Sequence, residues 1–296
     1  MSLRDQLRGT GVALVTPFKQ DQSIDYNALE VLINKLIEDG VQYVVSLGST
    51  GETPVLTKEE KVEVFSVTCS IAAGRVPVVV GLAGNNTAAV VKELESFDLE
   101  KATAILSVSP YYNKPTQEGI FQHYKSMALA SPKPIIIYNV PSRTGSNISA
   151  ATTLRLANEF DKIAGTKEAS ANMIQCMHIL RDRPADFFVT SGDDHVTLPL
   201  IACGMDGVIS VAANCFAKDF STMVSAALNN DYEQARLLQN KLLKGFDLLF
   251  AENNPTGVKA FLSEQGLIQN ILRLPLTPAS EQLISEIREY LSSSIG

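Results

Sequence analysis

A lysine stands at the end of a short apolar run, Ile163-Ala164-Gly165-Thr166-Lys167-Glu168. If that run is a buried strand, its amine is partly stripped of water, which disfavours the ammonium form. A neutral amine so placed is a nucleophile toward carbonyl carbon. A second reading pairs Lys167 with the adjacent Glu168 carboxylate, and the run alone does not choose between them. Gly48-Ser49-Thr50-Gly51 offers flexible backbone, N–H donors and two hydroxyls, a set that can hold a carboxylate without a counter-charge. It lacks the Gly-Lys-Ser/Thr of a phosphate loop, and it also reads as a plain strand-to-helix turn. Tyr138 could carry a proton, or simply pack and hydrogen-bond. Arg143 is either a bidentate clamp for a carboxylate or a surface arginine. Tyr111 and Tyr112 suit protein contacts. Gly81-Leu82-Ala83-Gly84-Asn85 reads as a structural turn.

The elements that must position these groups are short β-branched runs alternating with longer helical patterns. Strands are expected at Val12–Val15, Tyr43–Leu47, Val76–Val80, Ala104–Val108, Ile135–Asn139, Ile163–Thr166, Phe187–Thr190 and Val208–Val211. Most are continuously apolar, as parallel strands buried on both faces must be. Between them, Asp25 caps an apolar stripe through Leu29, Leu32, Ile33 and Leu36 that stops at Gly40. Thr57 and Glu60 form a capping box before a stripe that ends at Gly74. Eight strand-then-helix units predict a closed (β/α)₈ (TIM) barrel over residues 1–230. An open doubly wound sheet fits less well, because no GxGxxG turn follows the first strand. Residues 231–296 read as a C-terminal helical domain, including a helix over Asp231–Phe250 and a last one opened by Thr277-Pro278. In such barrels chemistry sits at the carboxyl ends of the strands, where Ser49, Thr50, Tyr112, Tyr138, Arg143, Lys167 and the Ser191-Gly192-Asp193-Asp194 run all fall.

Composition narrows the partners. With a net charge of −7 and no basic cluster, the chain has nothing to offset phosphate repulsion, so nucleic acid and acidic membranes are excluded. The polar amino-terminal segment has no signal-peptide core, and no apolar run could span a bilayer. The four cysteines are scattered through apolar stretches and read as buried free thiols of a reducing cytoplasm. The three histidines lie far apart, with no HExxH or CxxC, so no metal site is expected.

The ordered set GSTGE (48–52), SPYYNKPTQEG (109–119), YNVPSRTG (138–145), GTKEA (165–169), SGDD (191–194) and GVIS (207–210) resembles the dihydrodipicolinate synthase and N-acetylneuraminate lyase family. The resemblance implies a barrel with a C-terminal helical domain, assembled as a homotetramer from two tight dimers. It implies that Lys167 forms an imine with pyruvate. Tyr138, Ser49 and Tyr112 would relay protons, with Tyr112 reaching in from a neighbouring subunit. Thr50 would bind the keto-acid carboxylate, and backbone around Gly192 and Ile209 would line the pocket. No cofactor is implied, because the imine is itself the electron sink.

Within the family, Ser49-Thr50 does not separate synthases from sialic-acid lyases. Arg143 does, since the resemblance assigns an arginine after Tyr-Asn-Val-Pro-Ser to the carboxylate of L-aspartate 4-semialdehyde. The implied reaction makes 4-hydroxy-tetrahydrodipicolinate on the route to lysine and diaminopimelate. The alternatives are another pyruvate aldolase of the family, acting on N-acetylneuraminate or 2-keto-3-deoxy sugar acids, and a catalytically silent keto-acid binding protein. Some members are inhibited by lysine at the dimer interface. The matching positions here keep Asn85 and Tyr111, but read Lys58 and Lys61 for two histidines and Ala89 for a glutamate. Added cations and a lost carboxylate should repel a cationic ligand, so weak or absent inhibition by lysine is expected.

Overall fold

A computed structural model describes residues 2–294; Met1 and the last two positions of the expected helical region lie outside the described residues. Eight parallel strands close into a barrel in chain order. They are β1 (Gly9–Ala13), β2 (Tyr43–Ser46), β3 (Val78–Gly81), β4 (Ala104–Val108), β5 (Ile135–Asn139), β6 (Ile163–Glu168), β7 (Phe188–Ser191) and β8 (Gly207–Ser210). β8 pairs back onto β1, through Gly9↔Gly207 to Val12↔Ser210. Every expected strand is present, most of them displaced by one to three residues at an end.

Side chains alternate between two cores, as the period of a strand requires. Ala13, Val45, Val79, Leu106, Ile136, Tyr138, Phe188 and Ile209 fill the barrel, which Leu3 and Leu7 close from below. Val12, Val44, Val80, Ile105, Ile137 and Val189 face the surrounding helices. The β5–β6 ladder breaks phase once: Ile135 pairs with Ile163 but Ile136 pairs with Gly165, so Ala164 is an extra residue. Beyond that bulge Tyr138 lies opposite Lys167, and Asn139 opposite Glu168.

The helix starts follow the capping chemistry. Asp25 accepts from the Ala28 amide, and Thr57 and Glu60 form a reciprocal box. In the carboxyl-terminal region, helices Tyr232–Phe250, Thr256–Glu264 and Glu281–Ser294 follow the barrel. The last begins at Glu281 rather than at Pro278. Ser280, not Thr277, is the cap, its hydroxyl accepting from the Leu283 amide at 3.2 Å. Cys69, Cys176 and Cys215 are buried thiols, but Cys203 is exposed where the chain leaves helix Thr197–Ala202. Among the described residues no helix is long and apolar enough to cross a membrane.

Candidate active site

β5 and β6 deliver the two central side chains side by side into the barrel mouth. Lys167 is 4% exposed, and its Nζ lies 4.3 Å from the centroid of the Tyr138 ring. Burial lowers the lysine pKa to about 8, while Asp194 opposes that shift and Arg143 adds to it. Burial pushes the Tyr138 phenol the other way, up to about 12; Arg143 works against this and Asp193 and Asp194 work with it. Near neutral pH the pair therefore offers a partly neutral amine beside a protonated phenol.

The ion pair with Glu168 does not form. As the next residue on β6, Glu168 points to the opposite face of the strand. There Asn139 Nδ2 donates to it at 2.9 and 3.1 Å, Gln175 Nε2 at 3.1 Å and the Ser170 amide at 2.9 Å. Burial raises its pKa, and these donors work against that rise without cancelling it. The Asn139 carbonyl oxygen of the side chain accepts the Ile148 amide at 2.9 Å, so the cluster fixes the loop after β5 that carries Arg143.

Backbone closeness seats Lys167. A Cβ on Gly192 would fall 2.7 Å from Lys167 Cε and 2.8 Å from Ala169 Cβ. The lysine stem thus packs directly on the glycine backbone, whose amide donates to Glu168 O at 2.8 Å. Ile209, on β8, is buried in the same barrel interior as Tyr138. Asp194 is held by the Val211 and Ala212 amides at 3.1 and 2.9 Å. Its charge bears on Lys167 without an ion pair.

After β2 the chain makes a short 3₁₀ turn, Ser49–Gly51, in which Thr50 is buried and Ser49 exposed. Leu47 adopts a left-handed φ of 59° to enter it. β3 must end in glycine here, because a Cβ on Gly81 would lie 2.0 Å from Leu47 O. The Thr50 hydroxyl accepts from Asn254 Nδ2 at 3.0 Å. Arg143, in the short helix Pro141–Thr144, donates to Asn254 O at 3.1 Å. Tyr112 is 87% exposed on a left-handed backbone with φ 73°. Among the described residues no hydrogen bond joins the hydroxyls of Ser49, Tyr112 and Tyr138. Lys167, Tyr138, Gly192 and Ile209 are thus gathered at the mouth, Thr50 and Arg143 meet through Asn254, and Ser49 and Tyr112 stand apart. Sequence reasoning missed Asn254 altogether; its only signal is the Asn254-Pro255 turn dipeptide. It also gave Asp194 no role. Among the described residues no group of three His, Cys, Asp or Glu side chains is placed to ligate a metal.

A buried, partly neutral amine against a phenol at the carboxyl ends of a closed parallel barrel is chemically able to condense with a carbonyl carbon. The chain belongs to the dihydrodipicolinate synthetase family, whose model matches residues 6–294. It is 50% identical over 285 residues to 4-hydroxy-tetrahydrodipicolinate synthase of Parabacteroides distasonis, covering 96% of each chain. The solved dihydrodipicolinate synthase of Thermotoga maritima superposes with a TM-score of 0.95 at 38% identity, covering 98% of this chain and 99% of that one. The chloride-inhibited synthase of Acinetobacter baumannii, solved in complex with pyruvate, has a TM-score of 0.94 at 39% identity over 97% and 99% of the two chains.

Proposed function

We propose that this protein is a lyase that condenses pyruvate with L-aspartate 4-semialdehyde through an imine on Lys167. The product is 4-hydroxy-tetrahydrodipicolinate, in lysine and diaminopimelate synthesis. The observation that carries the reading is the desolvated Lys167 amine beside Tyr138, in a chain 50% identical over 96% of its length to a synthase of that product. A lysine near pKa 8 has about 300-fold more neutral amine at neutral pH than one at its ordinary value.

The amine adds to the keto carbon, and its proton moves to the oxygen. Tyr138 gives its proton to the departing hydroxyl, water leaves, and the iminium forms. The tyrosinate then takes a proton from the methyl group, giving an enamine. The enamine carbon attacks the aldehyde, whose oxygen takes the Tyr138 proton. Finally the amine of the second substrate attacks the iminium carbon and closes the ring; one of its two protons passes to the Lys167 nitrogen, which leaves as a free amine, and the other returns to the Tyr138 oxygen. Thr50 binds the keto-acid carboxylate, and Gly192 and Ile209 line its pocket. Arg143 binds the carboxylate of the aldehyde substrate, with a fork free beyond its bond to Asn254 O.

Ser49 and Tyr112 complete the proton path when a second copy brings its own Tyr112 to the mouth. An exposed aromatic ring held on left-handed backbone supports that reading. The assembly is a homotetramer of two such dimers, in the cytoplasm, with a catalytic barrel over 1–230 and a helical domain after it. The test is the initial rate with both substrates, coupled to dihydrodipicolinate reductase. A rate that needs both and vanishes in Lys167→Ala supports the assignment. Borohydride trapping of pyruvate without any such rate would move the second substrate to sugar-acid aldehydes.

A further inference from the structure

Asn254 arrives at the barrel mouth from outside the eight strands and is 6% exposed there. Its side-chain amide donates to Thr50 Oγ1 at 3.0 Å, and its main-chain carbonyl accepts Arg143 Nη2 at 3.1 Å. One residue thus touches both groups assigned above to substrate carboxylates. A hydroxyl has one proton to give. With an N–H already on a lone pair of Thr50, that proton is left to point elsewhere, and a hydroxyl committed as donor is the form a carboxylate needs. Were Thr50 to face an acceptor instead, its proton would turn away from the substrate.

The two segments involved are locked together. Glu52, two residues beyond Thr50, forms a fully buried ion pair with Lys259, five residues beyond Asn254. The Arg273 amide donates to the other Glu52 oxygen at 3.1 Å, and Lys259 Nζ also donates to Ile271 O at 2.9 Å. The Thr50–Asn254 bond is therefore set by buried structure on both sides of it.

We propose that Asn254 is a positioning residue that fixes Thr50 as a hydrogen-bond donor to the keto-acid carboxylate and steadies Arg143 through its carbonyl. The inference rests on the roles given to Thr50 and Arg143 above. Its two halves separate, because substitution removes the side-chain donor and keeps the main-chain acceptor.

The test uses the full-length protein with Asn254→Ala and Asn254→Asp, each alone and combined with Thr50→Val. Half-saturating pyruvate is read from borohydride trapping, KM for the aldehyde from coupled rates, and folding from the melting temperature. Asn254→Ala should raise half-saturating pyruvate about tenfold, the size of one hydrogen bond to a charged group. Asn254→Asp should raise it further, since it keeps the shape of the side chain and offers Thr50 only acceptors. The aldehyde KM should move less than about threefold. On the Thr50→Val background Asn254→Ala should shift the pyruvate value no more than about twofold, because partners in one interaction are not additive, and Asn254→Asp should cost several-fold less than it does with Thr50 in place. The charge of Asn254→Asp is present on both backgrounds and cancels in that comparison. Equal losses on both backgrounds, or pyruvate and aldehyde constants rising together, would overturn the proposal. If Asn254→Ala does not fold, the Asn254→Asp cycle decides alone. Failure of the underlying assignment looks different: the unaltered protein would trap no pyruvate.

Discussion

Replacing Gly192 by alanine puts a methyl carbon 2.7 Å from Lys167 Cε, 3.1 Å from Lys167 Cγ and 2.8 Å from Ala169 Cβ. Carbon atoms at rest sit about 3.5–4.0 Å apart, so the lysine stem must retreat by roughly 0.8 Å or more, and Ala169 blocks the methyl from yielding. The backbone at Gly192 is not among the left-handed glycines, so the cost is steric and not conformational. An error of about 1 Å in a reacting group costs on the order of 10²-fold in rate, while overpacking costs about 1–3 kcal/mol of stability. Gly192→Ala should therefore remain folded and lose about 10²-fold in kcat/KM, with borohydride trapping of pyruvate slowed in proportion. The assay is the coupled rate per folded molecule, with folding followed by denaturant titration. A variant destabilised as expected yet within threefold of the parent rate would refute the argument that contact with Gly192 aims Lys167.

Four further outcomes are expected. The acid limb of kcat/KM should fall near pH 8, where Lys167 gains its proton; Asp194→Asn removes a charge that favours the ammonium, so the limb should move to lower pH, and a move upward would contradict the electrostatics. Arg143→Ala should raise the aldehyde KM with about 10²-fold loss of kcat/KM while pyruvate trapping persists, and an unchanged KM in steady-state assays would remove Arg143 from substrate recognition. Lys259→Ala strands the buried Glu52 carboxylate and should cost about 3–5 kcal/mol in urea unfolding; a loss below about 1 kcal/mol would show that the pair is not sealed from water. Millimolar lysine should leave the rate within twofold of its uninhibited value, and half-inhibition below a millimolar would refute the charge argument from Lys58, Lys61 and Ala89.

Local chemistry was legible along the chain. The caps at Asp25 and Thr57, the apolar strands and the polar residues that follow them all depend on neighbours within a few positions. The barrel rule then converts strand ends into a candidate site, which is why Lys167, Tyr138 and Gly192 can be picked out from sequence. Asn254 was not, because its partner Thr50 is 204 residues away and nothing in an Asn-Pro dipeptide says where it will land. The choice between nucleophile and ion pair at Lys167 was also out of reach. It turns on the phase of β6 above Ala164, which sends Lys167 into the barrel and Glu168 to Asn139 and Gln175 on the other face.

The extra residue at Ala164 decides which of two neighbours becomes the reagent. Counting alternate positions from Ile163, which packs outward against the helices, would send Lys167 outward as well and turn Glu168 into the barrel. The bulge absorbs one step of that count. The lower part of β6 and its upper part are in effect two phases of one ribbon, each free to satisfy its own surroundings. An engineer who moves this amine chemistry to another parallel barrel must transplant the phase slip together with the lysine. A strand copied without it would bury an acid where the amine should be.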